Sequence, residues 1–387
     1  MLNAIISAGA ALLGLIFALR HRARLRTRRN AVLCGDAARL LAACPSLASY
    51  APPLLLPISG HASTLFSVFF RRSPGLTFSR ELVALPDGGE VALDFRGPVP
   101  QGARVVLLLH GLTGGSHERY VQWQIRALEA ACSPPPVCVV LNARGCGGSG
   151  LRTPLSFSAA FTADVRAVVR LLCARAGAGG RVSAEGWSLG AGTLLKLVCE
   201  EGGAAGGGSA GQRLPAAAAL APSVDFFRSC ARLERPLARL LYNLPMARAL
   251  HRYLRPHAAL LRTVPGFDEA AALSAPTLRG VDAAAIVPLH GFADVAAYYA
   301  AASTVRELKH AALPVLVLAA RDDPICDVGG LEEGARAASG CVAAVVTEEG
   351  GHVAWPLPSP GGWLLPGCEL SWENAAVVEW LKHVGGV

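Results

Sequence analysis

From Arg104 onward the chain alternates short apolar runs with helix-like stretches, and this alternation restricts its fold more than any other feature. The order is "RVVLLLH", a helix over about 118–131, "VCVVLNA", a helix over about 158–175, "RVSAEG", a helix from Leu189, and "AAAALAP". Runs that are apolar at every position suit strands covered on both faces, and parallel strands need long crossovers that helices supply. A mostly parallel sheet with helices on both faces follows. The strand signal then stops from about Val224 to Thr304, where Pro236, Pro245, Pro256, Pro265 and Pro276 break up helical pieces. It resumes with "LPVLVLAA" and "CVAAVV" before a closing helix-like "SWENAAVVEWLKHV". The middle block therefore reads as a helical cap, at about 224–304, inserted into one α/β domain spanning 79–387. That domain opens with a hairpin, "ELVAL" and "EVALDF" around the turn "PDGG".

Residues 1–30 read differently. Nineteen uncharged, mostly apolar residues precede six arginines between Arg20 and Arg29. In a helix such a run spans roughly 28 Å, close to the hydrocarbon thickness of a bilayer. With no charge before it and no small-x-small site just after it, the run is expected to be an uncleaved single-pass anchor rather than a signal peptide. The arginines place the following domain on the cytosolic side. Organelle targeting is the rival reading. Residues 31–78, rich in proline, read as a lead-in. The net charge of +8 falls to about +2 once the arginine block is set aside, which argues against a nucleic-acid partner. Eleven scattered cysteines without a C-x-x-C pair fit reduced thiols rather than a disulfide framework or a zinc site. Nothing in the sequence indicates an oligomeric state.

Three local patterns carry chemistry. "GWSLG" lies between a strand and a helix, the context in which G-x-S-x-G presents its serine, Ser188, at a sharp turn as a nucleophile. A serine needs a base to take its proton. An acid follows a later strand in "AARDDP", and a histidine follows the last strand in "EEGGHVAW". Of the two acids, Asp323 is expected to orient His352, while Asp322 caps the turn. The loop after the first long strand, "LLLHGLTGG", is expected to offer the Leu112 N–H, which with that of Leu189 would form an oxyanion hole. His110 shapes this loop, and a metal role for His110 and His117 lacks partners at ligand spacing. The glycines of "NARGCGGSG" spell G-x-G-x-x-G, but "RTP" follows where a dinucleotide fold needs a helix already under way, and the next acid, Asp164, lies inside the next helix. They are read as a tight loop beside the site, braced by Arg144. No cofactor is called for.

Together "LLLHGLTGGSHERYVQ", "VVLNARGCGGSGLRTP", "GWSLGAG", "GFDE", "YYAAAS", "ARDDP" and "GGHVAW" resemble the YheT-type α/β-hydrolases, the AB hydrolase 4 family. That family includes membrane-anchored α/β-hydrolase-domain lipases and phospholipases and plant embryogenesis-associated proteins. The resemblance runs from about Ser79 to the C-terminus. It implies an α/β-hydrolase fold and a serine hydrolase with Ser188, Asp323 and His352 as its triad. It also implies a single N-terminal membrane span, and lipid or small esters as substrates. A soluble-ester or thioester hydrolase and a catalytically silent tethered module are the alternatives. Cap side chains such as Leu241, Leu244 and Leu254 are expected to receive an acyl chain. Two departures from the family pattern stand near the elbow: Ala191 in place of a second glycine, and Glu185, a carboxylate that is costly if buried.

Overall fold

The computed structural model describes residues 9, 11, 13–15, 17–18, 30–33, 36–53, 59–202, 214–338, 340–359 and 365–387. The strands are β1 (Ala31–Leu33), β2 (Ser79–Ala84), β3 (Glu90–Phe95), β4 (Arg104–Leu109), β5 (Val137–Asn142), β6 (Arg181–Trp187), β7 (Ala217–Leu220), β8 (Val315–Ala320) and β9 (Val342–Thr347). They form a nine-stranded sheet in the order β1-β9-β8-β7-β6-β4-β5-β3-β2. The six strands from β9 to β5 are parallel, and antiparallel strands close both edges.

Alternation along each strand divides the core into two faces. Val105, Leu107 and Leu109 of β4 pack with Leu194, Leu195 and Leu172 from the helices Leu189–Gly202 and Ala163–Ala176. Val106 and Leu108 pack on the other face with Ile125 and Leu128 of the Arg119–Ala131 helix and Val377 of Trp372–Trp380. Strands buried on both faces at every residue, such as β7 and β8, are the ones whose sequences are uninterrupted apolar runs.

Two expectations change in detail. The helix predicted from about 158 begins at Ala163 instead. Ahead of it Phe161 N–H closes a turn on the Ser158 carbonyl, and Ala159 N–H donates to the Tyr298 hydroxyl, so these amides are committed outside a helix. The lead-in is woven into the domain. Its β1 pairs with β9, Ala31 opposite Val346, and its helix Gly60–Phe70 lies against the loop that carries His352. More than half of the expected N-terminal span falls outside the described residues, as does most of the glycine-rich tract 200–215. Among the described residues no helix is long and apolar enough to cross a membrane.

Between β7 and β8 the chain is helical from Phe226 to Ala302, with wide turns of π-helix at Arg239–Asn243 and Asp282–Ile286. This block has its own small cores, one around Leu250, Tyr253 and Leu261 and another around Tyr298 and Tyr299. It leaves the sheet after β7 and reaches the loop beyond β8, where Arg232 meets the Asp323 carbonyl.

Candidate active site

Strand β6 ends at Trp187 and the next helix starts at Leu189, so Ser188 alone makes the turn, with φ at 53°. A left-handed conformation costs a non-glycine residue on the order of 1–3 kcal/mol, and here the surroundings enforce it. A side chain at Gly186 would lie 2.7 Å from the Gly190 backbone, and one at Gly190 would lie 2.5 Å from the carbonyl oxygens of Leu109 and His110. Both glycines are thus required by close approach of strand, helix and neighbouring strand. Ser188 N–H donates to the Leu220 carbonyl at 2.9 Å, which ties the turn to β7.

Asp323 follows β8 and is 2% exposed. Its Oδ1 accepts the backbone N–H groups of Ile325 (2.8 Å) and Cys326 (2.9 Å), and its Oδ2 lies 2.8 Å from His352 Nδ1. Because Asp323 accepts on both oxygens, Nδ1 is the donor, and Nε2 is left to accept from Ser188 Oγ at 2.8 Å. Arg232 of the helical block donates to the Asp323 carbonyl at 2.6 Å.

Asp322 does not cap this turn as expected; Asp323 does so itself. Asp322 Oδ1 instead accepts Gly351 N–H at 2.9 Å, holding the base of the histidine loop, while its Oδ2 is buried without a partner. Burial pushes its carboxyl up to about 6. The His352 N–H donates to Thr64 Oγ1 at 2.9 Å, and a side chain at Gly60 would collide with the Asp322 carbonyl. The sequence offered no sign of Thr64 or Gly60, which lie 288 residues and more before the histidine they steady.

The loop after β4 is pinned on both sides of Leu112. Gly111 N–H donates to the Tyr120 hydroxyl at 2.9 Å, and Thr113 takes a positive φ of 54°. His110 donates from Nδ1 to the Gly111 carbonyl at 2.6 Å and accepts Ala143 N–H on Nε2 at 3.1 Å. Burial lowers its pKa to about 4, so the ring is neutral and serves as a brace. His117 is exposed on the surface. Leu112 and Leu189 line one pocket with Ser188.

The glycine loop has a local explanation. A side chain at Gly147 would strike the Asn142 amide, which accepts Ser116 N–H and donates to Asp94. A side chain at Gly145 would lie 2.8 Å from Tyr253 and His257 of the helical block. Arg144 is buried beneath, forked onto Asp164 at 2.6 and 2.7 Å and paired with Asp87 at 2.8 Å. Charge and planar geometry of this kind hold a loop rather than a pyrophosphate.

The pocket above Ser188 has a volume of about 100 Å³ and is largely apolar, with Leu233, Met246, Leu250, Leu278 and Ile325 among its walls. Leu241, Leu244 and Leu254 are not among its lining residues, because their positions along the helical run turn them elsewhere. One carboxyl interrupts the apolar wall. Asp282, on a π-turn, accepts from the Tyr299 hydroxyl at 2.9 Å, and burial drives its pKa up to about 7. Behind the elbow Glu185 is fully buried, and only a side-chain contact with Gln124 favours its charged form. Burial above all, then the Glu373 carboxylate, holds it well above the usual range, so it is carried as a neutral acid.

Asp323, Cys326 and His352 bring possible metal-ligand atoms within 4.8 Å of one another. Both His352 nitrogens and both Asp323 oxygens are already hydrogen-bonded, and burial raises the Cys326 thiol far from its thiolate form. The donor set suits proton transfer better than metal binding.

Residues 106–365 match the model of the alpha/beta hydrolase family. Phospholipase ABHD3 of Mus musculus is 30% identical over 327 residues, covering 81% of this chain and 76% of that protein. The putative esterase YheT of Escherichia coli is 29% identical over 329 residues, covering 83% of this chain and 89% of that protein. Among solved structures, the Pyrococcus furiosus esterase Pf2001 superposes with a TM-score of 0.50 at 16% identity, covering 82% of this chain and 99% of that one.

Proposed function

The chain belongs to the alpha/beta hydrolase family, and from that premise we propose that it cleaves carboxylic esters, above all acyl esters of lipids, through Ser188, His352 and Asp323. The observation that carries this reading is the unbroken relay of two 2.8 Å contacts from Asp323 through His352 to Ser188, opening into an apolar pocket. Ser188 Oγ attacks the ester carbonyl while His352 Nε2 takes its proton. The Leu112 and Leu189 N–H groups receive the developing oxyanion. His352 returns the proton to the leaving alcohol, and water then releases the acid by the same route. Asp323 holds the ring in the tautomer this needs. No step calls for a cofactor.

The apolar walls favour an acyl chain over a small polar ester, and the mouse relative is named a phospholipase. We place the helical block of residues 224–304 as a cap over the acyl site, and residues 1–30 as a membrane anchor with the catalytic domain on the cytosolic side. A fluorophosphonate probe should label the wild type and leave Ser188→Ala unlabelled. Absence of labelling in folded wild-type protein would favour a silent tethered module. Carbonate extraction of full-length protein tests the anchor, since release into the soluble fraction contradicts it.

A further inference from the structure

Five large apolar side chains stand exposed on two elements far apart in sequence. Val68, Phe69 and Phe70 end the Gly60–Phe70 helix, and Leu237 and Leu240 lie on the helical run that starts at Pro236; each is at least 54% exposed. The two elements are joined. His61 stacks on Tyr242 with ring centroids 5.5 Å apart and bonds its hydroxyl at 3.0 Å. Leu65 and Leu241 pack on one small cluster with Leu233, Met246, Leu278 and Ile325, and these last four also line the Ser188 pocket. The two elements that carry the exposed side chains therefore share one apolar cluster with the pocket wall.

Charge distinguishes the possible occupants. From Arg235 to Phe267 the chain carries six arginines and no acid, and the segment Ser59–Ser73 carries Arg71 and Arg72 and no acid. Arg71 is committed to Glu373, but Arg72, Arg235, Arg239, Arg248, Arg252 and Arg255 are exposed. Of the six in Arg235–Phe267, Arg262 pairs with Glu269 and Arg239 meets Glu234 at a loose 4.0 Å, while among the described residues Arg72, Arg235, Arg248, Arg252 and Arg255 have no ion-pair partner. Apolar side chains flanked by cations without counter-charges are the makeup of a segment that lies in a headgroup layer. A protein partner would be expected to meet a mixed-charge rim.

We propose that the Gly60–Phe70 helix and the run from Pro236 form a bilayer-docking surface. It rests on anionic headgroups with Phe69, Phe70, Leu237 and Leu240 in the acyl boundary, and it opens the Ser188 pocket toward the lipid. The delivery of substrate rests on the ester-hydrolase reading; the docking does not. The same helix steadies His352 through Thr64, so the docked face is held against the catalytic loop.

The test uses full-length protein with phosphatidylcholine vesicles containing about one-fifth phosphatidylserine. Phe69→Trp, a conservative change at an exposed position, should show quenching by brominated lipid beyond that of the parent's own tryptophans. The triple variant Phe69→Asp, Leu237→Asp, Leu240→Asp should lose about tenfold or more of its rate on a vesicle-borne ester. Its hydrolysis of a soluble short-chain ester should be unchanged. No excess quenching, or equal vesicle rates, overturns the docking surface even if Ser188 proves catalytic. Concentration-dependent self-association abolished by the triple variant, without excess quenching, overturns it in favour of a second copy of the chain. If the triple variant also loses soluble-ester hydrolysis, its vesicle rate is set aside and the Phe69→Trp quenching decides, its presence supporting the surface and its absence overturning it. Conversely, excess quenching with a fully active Ser188→Ala would refute the catalytic reading and keep the surface.

Discussion

Adjacent aspartates with different partners give the sharpest test of the mechanism. In Asp323→Asn the side-chain oxygen can still accept the Ile325 and Cys326 N–H groups at 2.8 and 2.9 Å, so the turn survives. The amide nitrogen must then face His352 Nδ1, now as a donor. The ring responds by carrying its proton on Nε2, which leaves Ser188 Oγ, 2.8 Å away, with no acceptor for its proton. A wrong tautomer of this kind costs about 10⁴-fold in kcat, or roughly 5.5 kcal/mol at about 1.36 kcal/mol per decade. Asp322→Asn keeps the oxygen that accepts Gly351 N–H at 2.9 Å and adds a donor where the wild type has an unpartnered oxygen. Its effect should stay within about tenfold in kcat, since one hydrogen bond of altered quality is worth roughly 0.5–1.5 kcal/mol. The assay is turnover of a chromogenic ester by both purified variants, with circular dichroism and thermal melts to verify folding. If folded Asp322→Asn is inactive while Asp323→Asn retains its rate, the relay has been assigned to the wrong carboxyl.

Other consequences can be measured on the same protein. Ser188→Ala and His352→Ala should each cost about 10³-fold or more in kcat, and the double variant should be hardly worse, because the two act as one unit; additive losses would contradict the shared role. Gly190→Ala drives a methyl group into two carbonyl oxygens at 2.5 Å, so folding stability should fall by about 3 kcal/mol or more in chemical denaturation. A soluble, wild-type-stable Gly190→Ala would show that the elbow relaxes. Asp282 has its pKa raised to about 7 from an ordinary 3.8, so the folded state holds this proton better than the unfolded chain does. Its contribution is full below the unfolded value and is lost as pH rises through the folded one, a few kcal/mol at most. Urea unfolding at several pH values should show that decline flattened in Asp282→Asn, and an unchanged slope would assign it to another group.

What could be read from the sequence is what local chemistry dictates. Apolar runs identify β4, β5, β7 and β8 as central strands because no other placement hides both faces, and the elbow that ends β6 is legible because Gly186 and Gly190 are needed within five residues of each other. The division of labour between Asp322 and Asp323 is less accessible. Both are short acids after the same strand, and only the direction of each carboxyl decides that Asp323 both closes the turn and meets His352 while Asp322 steadies Gly351. Thr64 and the edge strand β1 lie further out of reach, since a hydroxyl or a three-residue strand carries no periodic signal and its partner is hundreds of residues away. Glu185 shows where the two kinds of information meet. An acid at an inward position of the central strand β6 must find a cation or give up its charge. The buried Arg71 on that side is already engaged by Glu373, whose negative charge reinforces the effect of burial at Glu185. The missing cation, rather than any feature of the acid itself, therefore selects the neutral form three residues before Ser188.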